Sequence, residues 1–104
     1  MSEMSTTPPP ATEPAFAELL ELVGRRWTLR ILWELRGGAL AFNELRSRAG
    51  GLSQSVLVTR LTELYGAGLV ADVEAGYELT PQGAALVRQL GGLSDWSVAR
   101  VREP

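Results

Sequence analysis

Two short apolar stripes at helical spacing, separated by a pair of glycines, constrain this chain more than any other feature. The segment from Phe42 to Val70 reads FNELRSRAGGLSQSVLVTRLTELYGAGLV. Its first part, Asn43 to Ala49, sets Leu45 and Ala49 one turn apart and leaves Glu44, Arg46, Ser47 and Arg48 for the other faces, which predicts a short helix with one buried stripe. Gly50 and Gly51 end it, because glycine accepts the left-handed backbone that a helix C-terminus needs. Ser53 then caps the next helix by accepting from its free N–H groups. In that second helix Leu57, Leu61 and Leu64 fall at i, i+4 and i+7 and share one face, with Tyr65 beside them. The opposite face carries Ser55, Thr59 and Thr62, edged by Gln54, Val58 and Glu63. Two helices held at a steep angle in this way are a helix-turn-helix.

The residues that follow narrow the architecture. Leu69–Val73 and Tyr77–Leu79 are short β-type runs, and Glu74-Ala75-Gly76 between them is a tight turn with glycine where positive φ is wanted. Thr80-Pro81 restarts a helix, with threonine as N-cap and proline at the first helical position, where its missing N–H costs nothing. The fold class expected is therefore mainly α with a small β-hairpin: a winged helix-turn-helix, with N- and C-terminal helices left over for dimerisation. A helix that enters the major groove needs short side chains or ones that donate and accept on base edges, and Gln, Ser, Thr and Arg qualify, while Val58 suits a thymine methyl. The same Ser/Thr face also suits plain solvent, so the helix alone leaves both readings open.

The ordered set of residues resembles the HxlR-type winged-helix transcriptional regulators, relatives of the MarR group. The resemblance is carried by Leu22-Val23-Gly24-Arg25-Arg26-Trp27-Thr28 with Ile31-Leu32 and Glu34-Leu35, then Phe42-Asn43-Glu44-Leu45-Arg46, and Leu52-Ser53-Gln54 with Leu57, Arg60-Leu61 and Glu63-Leu64. Gly68-Leu69-Val70, Tyr77, Leu79-Thr80-Pro81, Gly83 and Trp96 complete it, over about residues 14–97. It implies a homodimeric bacterial regulator of double-stranded DNA, paired through its first and last helices, with a recognition helix at about residues 53–66 on a palindromic operator. DNA contacts are then expected from Arg26, Asn43, Arg46, Arg48, Ser53, Gln54, Ser55, Val58, Thr59, Arg60 and Thr62. Members often carry Lys or Arg where this chain has Ser55 and Thr62, so base contact falls to Gln54, Ser55, Thr59 and Arg60. The hairpin is acidic, with Asp72, Glu74 and Glu78, and is not expected to grip the minor groove.

Phe16, Leu19, Leu20 and Val23 form one apolar stripe, and Leu86, Leu90 and Leu93, with Trp96 beyond them, form another. These are either ordinary core stripes or a dimer interface. In a short chain whose three-helix core is already supplied, a second copy is the better cover for them. Gly91-Gly92 interrupts the last helix and predicts a kink or an early stop there. Trp33 and Leu29 lie away from Trp27 and Ile31 and are expected to face the partner.

The chain reads as one domain, 14–104, after a Ser/Thr/Pro-rich stretch, 1–13, expected to be a disordered tail. That stretch has neither the basic start nor the apolar run of a signal peptide, and no uncharged segment is long enough for a bilayer, so a cytoplasmic location is expected. The net charge of −2 hides an uneven distribution. Residues 24–60 hold Arg25, Arg26, Arg30, Arg36, Arg46, Arg48 and Arg60 against Glu34 and Glu44 only, so positive charge is concentrated in the helix-turn-helix. With no His and no Cys there is no base, thiol nucleophile or usual transition-metal ligand; neither enzyme chemistry, a metal nor a cofactor is expected. HxlR-like regulators commonly carry a cysteine just before the first helix, in some a thiol switch, and its absence here removes that route. A small-molecule effector is left unidentified. Trp27, Trp33, Phe16 and Trp96 are either aromatic walls for one or fillers of the core and interface. The competing class is a winged-helix module for protein–protein interaction that no longer binds DNA.

Overall fold

A computed structural model describes residues 12–102, and the expected N-terminal tail lies almost wholly outside them. Helix α1, Pro14–Val23, begins with proline at its first position and with the Glu13 carboxylate accepting from Ala15 N at 3.3 Å. It has no buried residue: Ala17, Leu19, Leu22 and Val23 are half-buried and the others are exposed. Helix α2, Thr28–Glu34, runs into a 3-10 turn, Leu35–Gly37, and α3, Phe42–Arg48, opens the helix-turn-helix. Gly50 and Gly51 take φ of 113° and 74°, the left-handed values that the glycine pair was expected to supply. Ser53 caps α4, Gln54–Gly66, by accepting from Val56 N at 3.2 Å.

The core gathers behind the two helices. Leu45 and Ala49 of the α3 segment, Leu57, Leu61 and Leu64 of α4, and Ile31, Leu32 and Leu35 are all buried together with Val70. A fully buried leucine contributes roughly 1.5–3 kcal/mol relative to exposure, so these stripes fix which way α4 faces. Tyr65 departs from expectation: it is 65% exposed, standing at the end of α4 toward the hairpin rather than with the leucines. Trp33 and Leu29 of α2 pack half-buried against the core, with the Arg36 guanidinium 4.3 Å over the Trp33 ring.

The hairpin pairs β1, Val70–Val73, antiparallel to β2, Gly76–Leu79, with Val70 opposite Leu79 and Val73 opposite Gly76. Sequence patterning missed a third strand position. Leu40 bridges Tyr77, each backbone N–H donating to the other's carbonyl at 2.9 Å. Gly76, with φ of 134°, is required less by the turn than by this approach, since a Cβ there would lie 2.7 Å from the Leu40 carbonyl carbon and nearer still to its oxygen.

Thr80 starts α5, Pro81–Arg102, its hydroxyl accepting from Gly83 N at 3.0 Å and donating to Gly68 O at 2.6 Å. The expected break at Gly91-Gly92 does not occur. The helix runs through both as one rod of 22 residues, because nothing crowds either glycine and a cost of about 1 kcal/mol each leaves the backbone ladder intact. From Asp95 to Arg102 every residue is exposed. Among the described residues no helix is long and apolar enough to cross a membrane.

Candidate nucleic-acid interface

The leucine stripe of α4 is buried, so the face a half-turn away is turned outward. Gln54, Ser55, Thr59 and Thr62 are exposed there, and Val58 among them is 51% exposed, an apolar side chain left in water. The threonines are pre-set. Thr59 Oγ1 donates to Ser55 O at 3.0 Å and Thr62 Oγ1 to Val58 O at 2.8 Å, so each presents its lone pairs outward as an acceptor. Ser53 keeps its N-cap role, its hydroxyl 3.4 Å from that of Ser55. Asn43, at the start of α3, is exposed as well.

The arginines are less free than a count of charges suggests. Arg60, expected on the reading face, donates from Nε to Arg26 O at 2.8 Å and pairs with Glu63 at 3.3 Å. It ties α4 to the loop before α2. Arg46 donates from Nε to Leu52 O at 2.7 Å, spanning the turn between α3 and α4, and Arg30 donates to Arg48 O at 3.0 Å. Arg25 reaches Glu63 at 3.7 Å, Arg30 meets Glu34 at 2.8 Å and Arg48 meets Glu44 at 3.2 Å. Arg26 lies exposed, its guanidinium 5.3 Å over the Trp27 ring. The bonds from Arg30, Arg46 and Arg60 to carbonyls are ones that no spacing rule in the sequence reveals, whereas Arg30–Glu34 and Arg48–Glu44 follow the i,i+4 rule of a helix surface. Arg48 and Arg30 keep more than half their side-chain surface in solvent, enough to meet a phosphate while holding these partners.

Trp27 carries the one positive φ, 81°, seen outside glycine among the described residues. Its ring lies against Gly50, where a Cβ would sit 3.3 Å from the ring edge, so the loop before α2 bears on the turn from one side while Arg60 holds it from the other. An Arg46→Ala protein is expected to lose about 1–2 kcal/mol in guanidinium unfolding, because the carbonyl of buried Leu52 loses a charged donor.

The two terminal stripes divide differently from their spacing. Leu86 and Leu90 pack half-buried against the core, because the first half of α5 covers α2 and the hairpin. Leu19 and Val23 are half-buried, whereas Phe16, Leu20 and Leu93 are exposed and Trp96 is 61% exposed. Val98 and Val101 join them, the latter 76% exposed; Val101 stands at i+8 from Leu93, a spacing visible in the sequence. The four aromatic side chains do not converge. Trp33 lines a groove with Arg36, Leu79 and Val87, Trp27 sits at the turn, and Phe16 and Trp96 stand on the exposed stripes. No group of three or more carboxylates suited to a metal occurs among the described residues.

A profile of HxlR-like helix-turn-helix proteins matches residues 22–103. YvaP of Bacillus subtilis, named as an uncharacterized HTH-type transcriptional regulator, is 33% identical over 91 residues, covering 81% of this chain and 84% of its own length. Among solved structures, quinone-bound YodB of B. subtilis superposes with a TM-score of 0.77 at 29% identity, covering 84% of this chain and 99% of that one. A possible HxlR-family transcriptional factor of Thermoplasma volcanium gives 0.73, also at 29% identity, over 82% and 83% of the two chains. The matched residues 22–103 take in the outward face of α4, the hairpin and α5, and the chain belongs to the HxlR-like helix-turn-helix family of transcriptional regulators.

Proposed function

We propose that the protein binds double-stranded DNA as a homodimer on a palindromic operator, with α4 in the major groove and the two half-sites about 10 base pairs apart. The observation that carries this reading is the outward face of α4: exposed, uncharged, and offering the Gln54 amide, the Ser55, Thr59 and Thr62 hydroxyls and the Val58 methyls over a rigid leucine base. Such groups match base edges, and a neutral face there avoids repulsion from the duplex. Arg26, Asn43, Arg46, Arg48 and Ser53 border that face and neutralise or hydrogen-bond phosphates. Arg60 acts as a positioning residue, fixing the angle of α4 through Arg26 O. The site of action is the cytoplasm, where a bacterial regulator meets its DNA.

Fluorescence anisotropy against fragments from the protein's own promoter and flanking genes, repeated across salt, tests this. One fragment is expected to bind above random DNA, with a log–log salt slope of about −0.9 per phosphate neutralised. Arg60→Ala is expected to weaken all sequences alike and leave the specificity ratio unchanged, unlike a base-reading residue, whose loss relaxes preference at one position. If no fragment exceeds random DNA at moderate salt, the protein-interaction reading, favoured by exposed Asp72 and Glu78 on the hairpin, replaces this one.

Dimerisation draws support from the apolar surface of α1 and of the second half of α5, which has no cover within the protomer. A Leu93→Asp, Trp96→Asp protein is expected to be monomeric at micromolar concentration by light scattering while the parent is a dimer. Both residues are exposed, so the substitutions leave the core untouched. A parent that scatters as a monomer ends the dimer assignment.

A further inference from the structure

Between α4 and the hairpin lies a cleft of about 230 Å³ lined by Val58, Leu61, Thr62, Tyr65, Asp72 and Tyr77. Its size is below the roughly 300–1,000 Å³ of sites for drug-sized ligands and suits one ring with a short arm. The chemistry of its walls is one-sided. Leu61 and Val58 give an apolar floor, and Tyr65 and Tyr77 give two aromatic rings. The Tyr77 ring is held by Phe42 at 6.4 Å between centroids and by paired backbone bonds to Leu40. Thr62 has already spent its proton on Val58 O and offers lone pairs only. Asp72 is exposed and makes no ion pair among those seen in the described residues, and no arginine lies between residues 61 and 87. No basic side chain lines the cleft, and Glu74 and Glu78 on the same hairpin add negative potential.

Acceptors, a free carboxylate and aromatic faces around an apolar floor select a donor-bearing cation and repel an anion. We propose that this cleft binds a compact aromatic or aliphatic ligand carrying a protonated amine, and that its occupancy excludes DNA. The second half rests on the reading of α4 given above, because Val58 and Thr62 belong both to the cleft and to the face assigned to the groove. The first half is independent of it.

Phenethylamine, 2-phenylethanol and 3-phenylpropionate form a matched set of cation, neutral molecule and anion. Each is titrated into the ¹⁵N-labelled full chain without DNA, and the backbone amide resonances are followed. Phenethylamine is expected to move Thr62, Tyr65 and Asp72 saturably with a dissociation constant on the order of 1–10 mM, as befits so small a probe. The alcohol is expected to bind several-fold more weakly and the carboxylate to leave these resonances in place. Asp72→Asn is expected to weaken phenethylamine about ten-fold through loss of a charged acceptor, while Glu74→Gln, on the turn outside the cleft and acting only through the solvent-screened potential, weakens it by less than about two-fold. Equal binding of all three probes, shifts confined to another region, or an Asp72→Asn protein that binds as well as the parent overturns the site. In the second arm phenethylamine is added to the protein–promoter complex and anisotropy is read. Release of DNA over the range that saturates the cleft supports exclusion, and retention of DNA with the cleft occupied refutes it. A protein that binds no promoter fragment removes the exclusion, while the titration still decides the site.

Discussion

A protein carrying Ser55→Glu and Thr59→Glu is expected to keep its helical circular dichroism and thermal midpoint, yet bind promoter DNA at least about a hundred-fold more weakly. Both side chains are exposed on the outward face of α4, so neither substitution disturbs the leucines behind them. Ser55 lies in the first turn, where a carboxylate interacts favourably with the helix dipole, and Thr59 loses only a local bond to Ser55 O. Stability is therefore little changed. In a major groove, however, two carboxylates face the phosphates and lose the acceptor and donor pattern of the hydroxyls, and like-charge juxtaposition at an interface costs several kcal/mol. Anisotropy and thermal unfolding on the same preparation separate the two effects. A doubly substituted protein that binds its fragment like the parent would show that another surface meets DNA, and a loss of binding with a matching loss of structure would show only that α4 had unfolded.

Gly76→Ala is expected to be the most damaging single methyl group in the chain. The added carbon would meet the Leu40 carbonyl at a backbone φ of 134°, and no rotamer relieves a clash between two main chains. Backbone strain of about 1–3 kcal/mol joins the loss of the paired Leu40–Tyr77 hydrogen bonds at about 1 kcal/mol each. A loss of about 3–5 kcal/mol lowers the thermal midpoint on the order of 20 °C in a domain of this size. Gly83→Ala tests the same principle at α5, where a Cβ would press on Leu69, 3.0 Å from its carbonyl carbon. Gly91→Ala is the control: nothing lies within 4 Å, the site is helical, and stability should rise by up to about 1 kcal/mol. Guanidinium unfolding of the three proteins checks the order. An unaffected Gly76→Ala protein would mean that the strand at Leu40 is dispensable.

Much of the fold was legible before any coordinates. Leu45 with Ala49, and Leu57 with Leu61 and Leu64, lie at helical spacing and are buried; Gly50-Gly51, Ser53 and Thr80 punctuate the helices as their chemistry requires. Tyr65 lies beside Leu61 and Leu64 by angle around α4, yet it is exposed, because what a side chain meets is set by whichever element packs beside it. Leu86 and Leu90 share a stripe with Leu93, yet only the last stays exposed, because coverage ends partway along α5. The bridge at Leu40 has no local signature, since a single paired residue between two alanines lacks the alternation that marks a strand.

For the reading face the division is the same. Periodicity along the chain was sufficient to say that Gln54, Ser55, Thr59 and Thr62 oppose the leucines of α4, because both the helical repeat and the preference of leucine for the interior act over a few residues. Charge along the chain likewise told that the arginines cluster between residues 24 and 60. Which of them remain free did not follow from that, because a guanidinium's partners are carbonyls and carboxylates brought near by folding: Arg26 O for Arg60, 34 positions away, Leu52 O for Arg46 and Arg48 O for Arg30. The cleft between α4 and the hairpin belongs to the same class, since Tyr65 and Asp72 face one space only once the hairpin has folded back. Local chemistry settled the elements and their outward faces; long-range packing alone decided which charges those faces keep and what hollows lie between them.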